Sequence, residues 1–193
     1  MIHLVLGGAR SGKSRFAEAQ VQQYLADAAG INISADCIYV ATAQALDSEM
    51  AQRIRHHQTQ RETDDINWHT IESPLELTTA LKEHAGENSI ILVDCLTLWL
   101  TNHLLQEEPA LQKQVNFEKQ DCWQQVKTDF LQTLSELSGT VILVSNEVGC
   151  GIVPMGEINR RFVDEAGWLH QNIAAIADRV TLVTAGLPLN LKG

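Results

Sequence analysis

The string Gly7-Gly-Ala-Arg-Ser-Gly12-Lys13-Ser14 stands directly after the apolar run Ile2 to Leu6 and before a stretch of helical character, and it limits the fold more than any other feature. A GxxxxGK[ST] loop between a strand and a helix lets successive backbone N–H groups point inward at phosphate oxygens. The helix N-terminus adds the positive end of its dipole. On this reading Gly7, Gly8, Ala9, Arg10, Ser11 and Gly12 form the cradle, Lys13 reaches the β- and γ-phosphates of a nucleotide, and the Ser14 hydroxyl ligates Mg²⁺. The structural alternative is a glycine-rich strand-to-helix turn that binds nothing.

The rest of the chain repeats the alternation that the loop begins. Short apolar or β-branched runs are separated by longer segments of helical period, which predicts an α/β layer fold with a mostly parallel sheet flanked by helices. The expected strands are Ile2 to Leu6, Cys37 to Thr42, Asn67 to Ile71, Ser89 to Asp94, Val141 to Ser145 and Val180 to Thr184. Runs such as IILV and VILV suit strands buried on both faces.

Ser73-Pro-Leu-Glu76 reads as a capping box with proline at the first helical position, and Gly86 as the left-handed end of that helix. Trp123, Val126, Phe130, Leu134 and Leu137 mark one core-facing stripe in a helix drawn from Asn116 to Ser138 and closed at Gly139. Ile158, Phe162, Ala166, Leu169, Ile173 and Ile176 mark another. The segments Asp27 to Asp36 and Gln106 to Asn116 read as surface insertions.

At 193 residues one domain is expected over 1–193, and a net charge of -10 leaves no broad basic footprint for nucleic acid. The four cysteines, Cys37, Cys95, Cys122 and Cys150, contain no Cys-x-x-Cys pair, so reduced thiols in a cytoplasmic protein are expected. MIHLVLGGAR has no basic n-region and its apolar run is short, so the expectation is a soluble, unprocessed protein without a membrane span.

Two further segments carry candidate chemistry. Ile90-Ile-Leu-Val-Asp94 is an apolar run ending in a carboxylate, which makes Asp94 the metal-side partner of a phosphate loop, or else the N-cap of a helix starting at Leu96. The Cys-Leu-Thr that follows is not the DxxG of a regulatory GTPase, and no Asn-Lys-x-Asp string is present, which disfavours a nucleotide-dependent switch. Asp47, a plausible N-cap, opens a segment with Arg53, Arg55, His56, His57 and Arg61, the one concentrated basic stretch in an acidic chain. Adjacent helical residues diverge by about 100°, so only one of the paired histidines can face a phosphate squarely. A neutral imidazole has a lone pair able to attack phosphorus, while a solvated basic face is the plainer alternative.

GGARSGKS near the N-terminus, RIRHH after a strand ending in ATA, VDCLTLWLTN in the middle and SNEVGCGIVP before the final long helix together resemble the adenosylcobinamide kinase / adenosylcobinamide-phosphate guanylyltransferase family. The resemblance spans nearly the whole chain, and RIRHH and NEVGxGIVP are its restrictive parts. It implies a three-layer, RecA-like P-loop NTPase fold and a cytoplasmic, homotrimeric enzyme of cobalamin biosynthesis. Such an enzyme uses ATP or GTP with Mg²⁺ to phosphorylate the corrinoid adenosylcobinamide, then transfers GMP from GTP to the product through a guanylylated histidine.

In the family's pattern the first paired histidine carries GMP, which falls on His56. The resemblance also assigns Ala41, Thr42, Ala43, His57 and Gln58 to the nucleotide site, and Glu72 and Asp94 to nucleotide or metal. From the residues alone, Glu72 could equally be the residue before the Ser73 cap. Asp94 stands where some relatives carry Glu, which keeps the charge and shortens the reach. Asn146 and Glu147 sit where a strand gives way to a loop, a site-like position in open α/β sheets, and the loop from Gly149 to Pro154 either helps bind the corrinoid or makes a sharp turn. Trp68, Trp99, Trp123 and Trp168 are either core or interface residues or part of a corrinoid-stacking surface.

Overall fold

The computed structural model describes residues 1–30, 34–45, 48, 50–52, 54–55, 59, 66–113 and 123–193, with the backbone alone over 108–113. Its elements are β1 (Ile2–Gly7), α1 (Lys13–Gly30), β2 (Asp36–Ala41), β3 (Trp68–Glu72), α2 (Leu77–His84), β4 (Ser89–Asp94), α3 (Leu96–Lys113), α4 (Trp123–Glu136), β5 (Thr140–Asn146), α5 (Glu157–Ile176), β6 (Arg179–Thr184) and β7 (Leu187–Lys192).

The strands form one seven-stranded sheet in the order β3-β2-β4-β5-β1-β6-β7. The first six are parallel, and only β7 runs antiparallel to its neighbour β6. Side chains alternate across a strand, and that period divides each apolar run between two cores. Leu4, Ile38, Val40, Ile91, Val93, Val141 and Leu143 pack toward α2, α3, α4 and α5. Val5, Tyr39, Ile90, Leu92, Ile142 and Val144 pack toward Ala17 and Val21 of α1. The result is the expected three-layer α/β arrangement, consistent with a P-loop NTPase-like fold.

The two apolar stripes are core-facing as expected, with Trp123, Phe130, Leu134, Ala166, Leu169 and Ile173 buried and Ile176 exposed at the stripe's end. Trp99 and Trp123 meet at 5.1 Å between ring centroids, and Trp99 meets Phe130 at 4.8 Å. These two tryptophans are therefore core residues rather than a stacking surface, whereas Trp168 is exposed.

Four expectations need correction. β7 was not foreseen, although Leu187-Pro-Leu-Asn-Leu alternates apolar and polar after Ala185 and Gly186, whose φ of 52° and 77° make the tight turn of a two-residue hairpin. Pro188 is tolerated because β7 is the sheet edge.

The capping box at Ser73 does not form. α2 begins at Leu77, with Glu76 at the N-cap position making no side-chain capping bond. Tertiary partners hold the preceding residues out of the helix: Ser73 N–H donates to Ala41 O at 2.8 Å, Asn102 Nδ2 to Pro74 O at 2.9 Å, and Trp99 Nε1 to Leu75 O at 2.9 Å. Gly86 does not close α2 in a left-handed conformation, since the helix ends at an extended Ala85. Gly139, the residue expected to close the helix drawn from Asn116, does take a φ of 81°, and a Cβ there would lie 2.2 Å from Gly86 O.

The supposed insertions are helical. Residues 27–30 continue α1, and residues 106–113 continue α3. Gln106, Glu107, Ala110, Leu111 and Gln112 are good helix formers, and they extend α3 through Pro109. Residues 31–33 and 114–122, with Cys122 and the start of the helix drawn from Asn116, lie outside the described residues.

Candidate active site

In a parallel sheet all carboxyl ends share one edge, so the ends of β1, β2, β3, β4 and β5 bring their terminal residues to a common rim. Gly7 closes β1 where a side chain has no room: a Cβ would fall 2.4 Å from Ser11 Oγ and 2.5 Å from Val183 O. The loop then turns through Arg10 at φ 56° and Gly12 at φ 94°. Ser11 N–H donates to Gly8 O at 3.2 Å, and Phe16 N–H to Gly12 O at 2.9 Å, which starts α1. Gly186 N–H donates to Ser11 O at 2.8 Å, so the β6–β7 hairpin clamps the phosphate loop from outside. Gly8, Ala9 and Arg10 are exposed, and the Ser11 hydroxyl is buried without a partner among the described residues. Lys13 Nζ lies 3.2 Å from Gly8 O, folded over its own loop.

Beside this loop is a cavity of about 430 Å³. Lys13, Ser14, Ala41, Ala43, Glu72 and Asp94 line it, so the structure brings these sequence-predicted residues together from α1, β2, β3, β4 and the segment after β2. Its apolar wall includes Tyr39, Met50, Ile54 and Leu98, which sequence reasoning did not single out. For Tyr39 a signal was available, because it shares the Ala41 face of β2 by the strand's period of two. Met50 and Ile54 come from the helical residues that precede His56 in the chain. His56, His57 and Gln58, with Asp47, Arg53 and Arg61, lie outside the described residues.

Thr42 has a different position from the one expected. It is buried and does not line the cavity. Its Oγ1 donates to Cys95 O at 2.7 Å and accepts from Cys95 N–H at 2.9 Å, while its own N–H reaches Asp94 O at 3.2 Å. The residue joins the ends of β2 and β4 and so holds Asp94 at the rim. Asp94 Oδ2 accepts from Tyr39 OH at 3.1 Å. Glu72 ends β3 on the cavity wall and, with no cap at Ser73, the reading of it as a pre-cap residue falls away. Burial, aided by Asp94, pushes the Cys95 thiol up to about 11, so it stays protonated at neutral pH and takes no part as a thiolate.

Behind the rim lies a buried polar chain. His170 Nε2 and Ser145 Oγ are 2.8 Å apart, Ser145 Oγ and Thr97 Oγ1 are 3.1 Å apart, and Asn146 N–H donates to Thr97 Oγ1 at 2.7 Å. Burial pushes the pKa of His170 down, partly opposed by Glu147, which favours a neutral imidazole in this chain.

Oxygen donors from Ser14 and Asp94 on one cavity wall suit Mg²⁺, which takes one or two protein oxygens and completes its shell with water and substrate phosphate. No cluster of three or more His, Cys, Asp or Glu exists among the described residues, so a metal held wholly by side chains finds no site there. No helix among the described residues is long and apolar enough to cross a membrane.

The profile of the family described as cobinamide kinase / cobinamide phosphate guanyltransferase matches residues 3–191. The bifunctional adenosylcobalamin biosynthesis protein CobP of Pseudomonas aeruginosa is 49% identical over 193 residues, covering 100% of this chain and 98% of its own. The proteins named CobU from Salmonella typhimurium and Escherichia coli are 38% and 35% identical, each covering 100% of both chains. With its phosphate loop, rim carboxylates and full-length likeness, the chain belongs to the cobinamide kinase / cobinamide phosphate guanyltransferase family of transferases.

Proposed function

We propose that residues 1–193 act as one cytoplasmic kinase and guanylyltransferase domain. It phosphorylates the aminopropanol hydroxyl of adenosylcobinamide with ATP or GTP. It then transfers GMP from GTP to adenosylcobinamide phosphate, yielding adenosylcobinamide-GDP and pyrophosphate. The observation that carries this reading is that Lys13, Ser14, Glu72 and Asp94 line one cavity beside the phosphate loop. Homologues named as bifunctional adenosylcobalamin biosynthesis proteins over their full length supply the substrate class.

In the kinase step the loop amides from Gly7 to Gly12 hold the β- and γ-phosphates, and Lys13 balances charge as it moves onto the departing diphosphate. Ser14 and Asp94 would hold Mg²⁺, which supplies further charge neutralisation between the phosphates when bound. Ala41 and Ala43 give the nucleotide an apolar surface in the cavity, and Glu72 offers a carboxylate to its hydroxyl or amino donors.

In the transfer step a neutral His56 nitrogen forms a bond to the α-phosphorus of GTP as the bond to pyrophosphate breaks. An oxygen of the corrinoid phosphate then forms the new P–O bond as the P–N bond breaks. His57 and Gln58, which follow His56 in the chain, belong to the nucleotide site by the family likeness. One difficult displacement becomes two easier ones. The family likeness further suggests a homotrimer, which light scattering of the purified protein would register as three times the chain mass.

The test is incubation with Mg²⁺ and GTP labelled in turn at the α- and γ-phosphate, followed by assay of the denatured protein for acid-labile, base-stable label. Label from the α-position alone, absent in His56→Ala, is the expected result. A wild type that binds GTP but takes up no label overturns guanylyl transfer and leaves a small-molecule kinase.

A further inference from the structure

We propose that Asn146 is a catalytic residue of the kinase step, its side-chain carbonyl accepting a hydrogen bond from the attacking hydroxyl and holding that hydroxyl toward the terminal phosphate. The inference deepens the proposed function and rests on it. β5 lies between the strand that leads into the phosphate loop and the strand that ends in Asp94. In register Asn146 stands opposite Gly7, while Asp94 stands opposite Val144, so Asn146 reaches past Asp94 on the rim, next to the loop. Its side chain lines the same cavity as Lys13, Ser14 and Asp94.

The Asn146 Oδ1 atom is buried and has no hydrogen-bond partner among the described residues. A buried amide oxygen without a donor is costly, and native structures keep few of them. The backbone around it is fixed from both sides. Asn146 N–H is held by Thr97 Oγ1 at 2.7 Å, in the chain that continues to Ser145 and His170, and the next residue, Glu147, donates its N–H to Gly7 O at 3.1 Å. Glu147 Oε1 is itself engaged by Gly149 N–H at 2.6 Å. The backbone on either side of this acceptor is therefore pinned, and among the described residues no donor reaches it, which leaves it to a donor from a ligand.

Ionised phosphates offer acceptors and no proton, so they do not satisfy a carbonyl oxygen. The reacting group that brings a proton is the acceptor alcohol. Held by Asn146, it presents a lone pair to the γ-phosphorus. The new O–P bond forms, the bond from the γ-phosphorus to the β-phosphate oxygen breaks, the nucleoside diphosphate leaves, and the alcohol proton passes to an oxygen of the transferred phosphoryl group. A neutral carboxamide takes up no proton, and the loose transition state of phosphoryl transfer asks for positioning rather than a strong base.

The experiment compares the full-length wild type, Asn146→Ala and Asn146→Asp in two assays: phosphorylation of adenosylcobinamide, and enzyme labelling from α-labelled GTP, which uses no alcohol. Asn146→Ala is expected to lower kcat for phosphorylation by about 10²-fold, with KM for nucleotide and enzyme labelling within about twofold of wild type. Asn146→Asp keeps an acceptor at the same reach and is expected to retain more kinase activity than the alanine variant. If Asn146→Ala loses nucleotide affinity and labelling together with phosphorylation, or if Asn146→Asp is worse than Asn146→Ala because its charge repels phosphate, the role is a phosphate contact or a structural one and the proposal is overturned. Unchanged phosphorylation in Asn146→Ala overturns it as well. A wild type that phosphorylates no adenosylcobinamide sinks the functional reading itself, which separates that failure from a failure of Asn146.

Discussion

Two polar groupings in this molecule are built on opposite principles. Between α4 and α5, the buried carboxylate of Glu165 accepts from Trp123 Nε1 at 2.7 Å, Lys127 Nζ at 2.8 Å and Gln124 Nε2 at 2.6 Å, and nearby Arg161 pairs with Glu107. At the rim of the sheet, Ser11 Oγ and Asn146 Oδ1 are buried with no partner among the described residues, and one oxygen of the Asp94 carboxylate accepts from Tyr39 OH at 3.1 Å. A saturated cluster holds helices together and has little left to offer a ligand. Open valences on a rigid rim cost stability and remain worthwhile where a ligand completes them. The contrast separates buried polar residues that belong to the architecture from those that belong to the chemistry.

Breaking the saturated cluster should give the largest effect, and on stability. Glu165→Ala strands the Lys127 ammonium and the Trp123 N–H, and should destabilise the fold by about 3–5 kcal/mol. A lower urea midpoint with unchanged slope would register it, with nucleotide affinity retained in the folded fraction. A midpoint close to wild type would mean the cluster is not the clamp described.

The rim should respond in the opposite way. Lys13→Ala is expected to lower kcat by about 10²–10³-fold. Because the ammonium is exposed where it meets the Gly8 carbonyl, its loss should move unfolding free energy by no more than about 0.5 kcal/mol. Equal losses of fold and activity in both variants would erase the distinction.

The smallest effect concerns pH. Burial, with Arg179 adding repulsion, pushes the pKa of His3 down to about 4 from its ordinary 6.5, and burial also lowers His103 and His170. The unfolded chain therefore takes up protons first, so the contribution is complete above pH 6.5 and is lost as pH falls from about 6.5 toward about 4. His3→Gln, which keeps a group able to reach Thr181 Oγ1, should reduce the loss of unfolding free energy across that window by about 1–2 kcal/mol, read from denaturant titrations at pH values spanning it. An unchanged slope would assign the acid sensitivity to other groups.

Much of the site could be read along the chain because its key parts are contiguous. Gly7 to Ser14 is one loop whose sterics demand glycine at Gly7 and Gly12, and Asp94 follows the apolar strand that delivers it to the rim. Glu72 needed the tertiary structure to separate its two readings. The cap at Ser73 failed because its local logic ignored Trp99 and Asn102, which draw the carbonyls of Leu75 and Pro74 into tertiary bonds. Thr42 had the right address for a ligand residue, but its hydroxyl is spent on Cys95, a partner 53 positions away.

The sequence alone determined the layer architecture, the phosphate loop and the family, because apolar period, glycine sterics and a contiguous motif act over a few residues. The tertiary structure decided the strand order, the hairpin that clamps the loop through Gly186, and which polar atoms at the rim stay open. Those outcomes rest on contacts between residues far apart in the chain. A side chain's hydrogen-bonding capacity is written in its identity, but whether that capacity is used depends on what the fold places beside it.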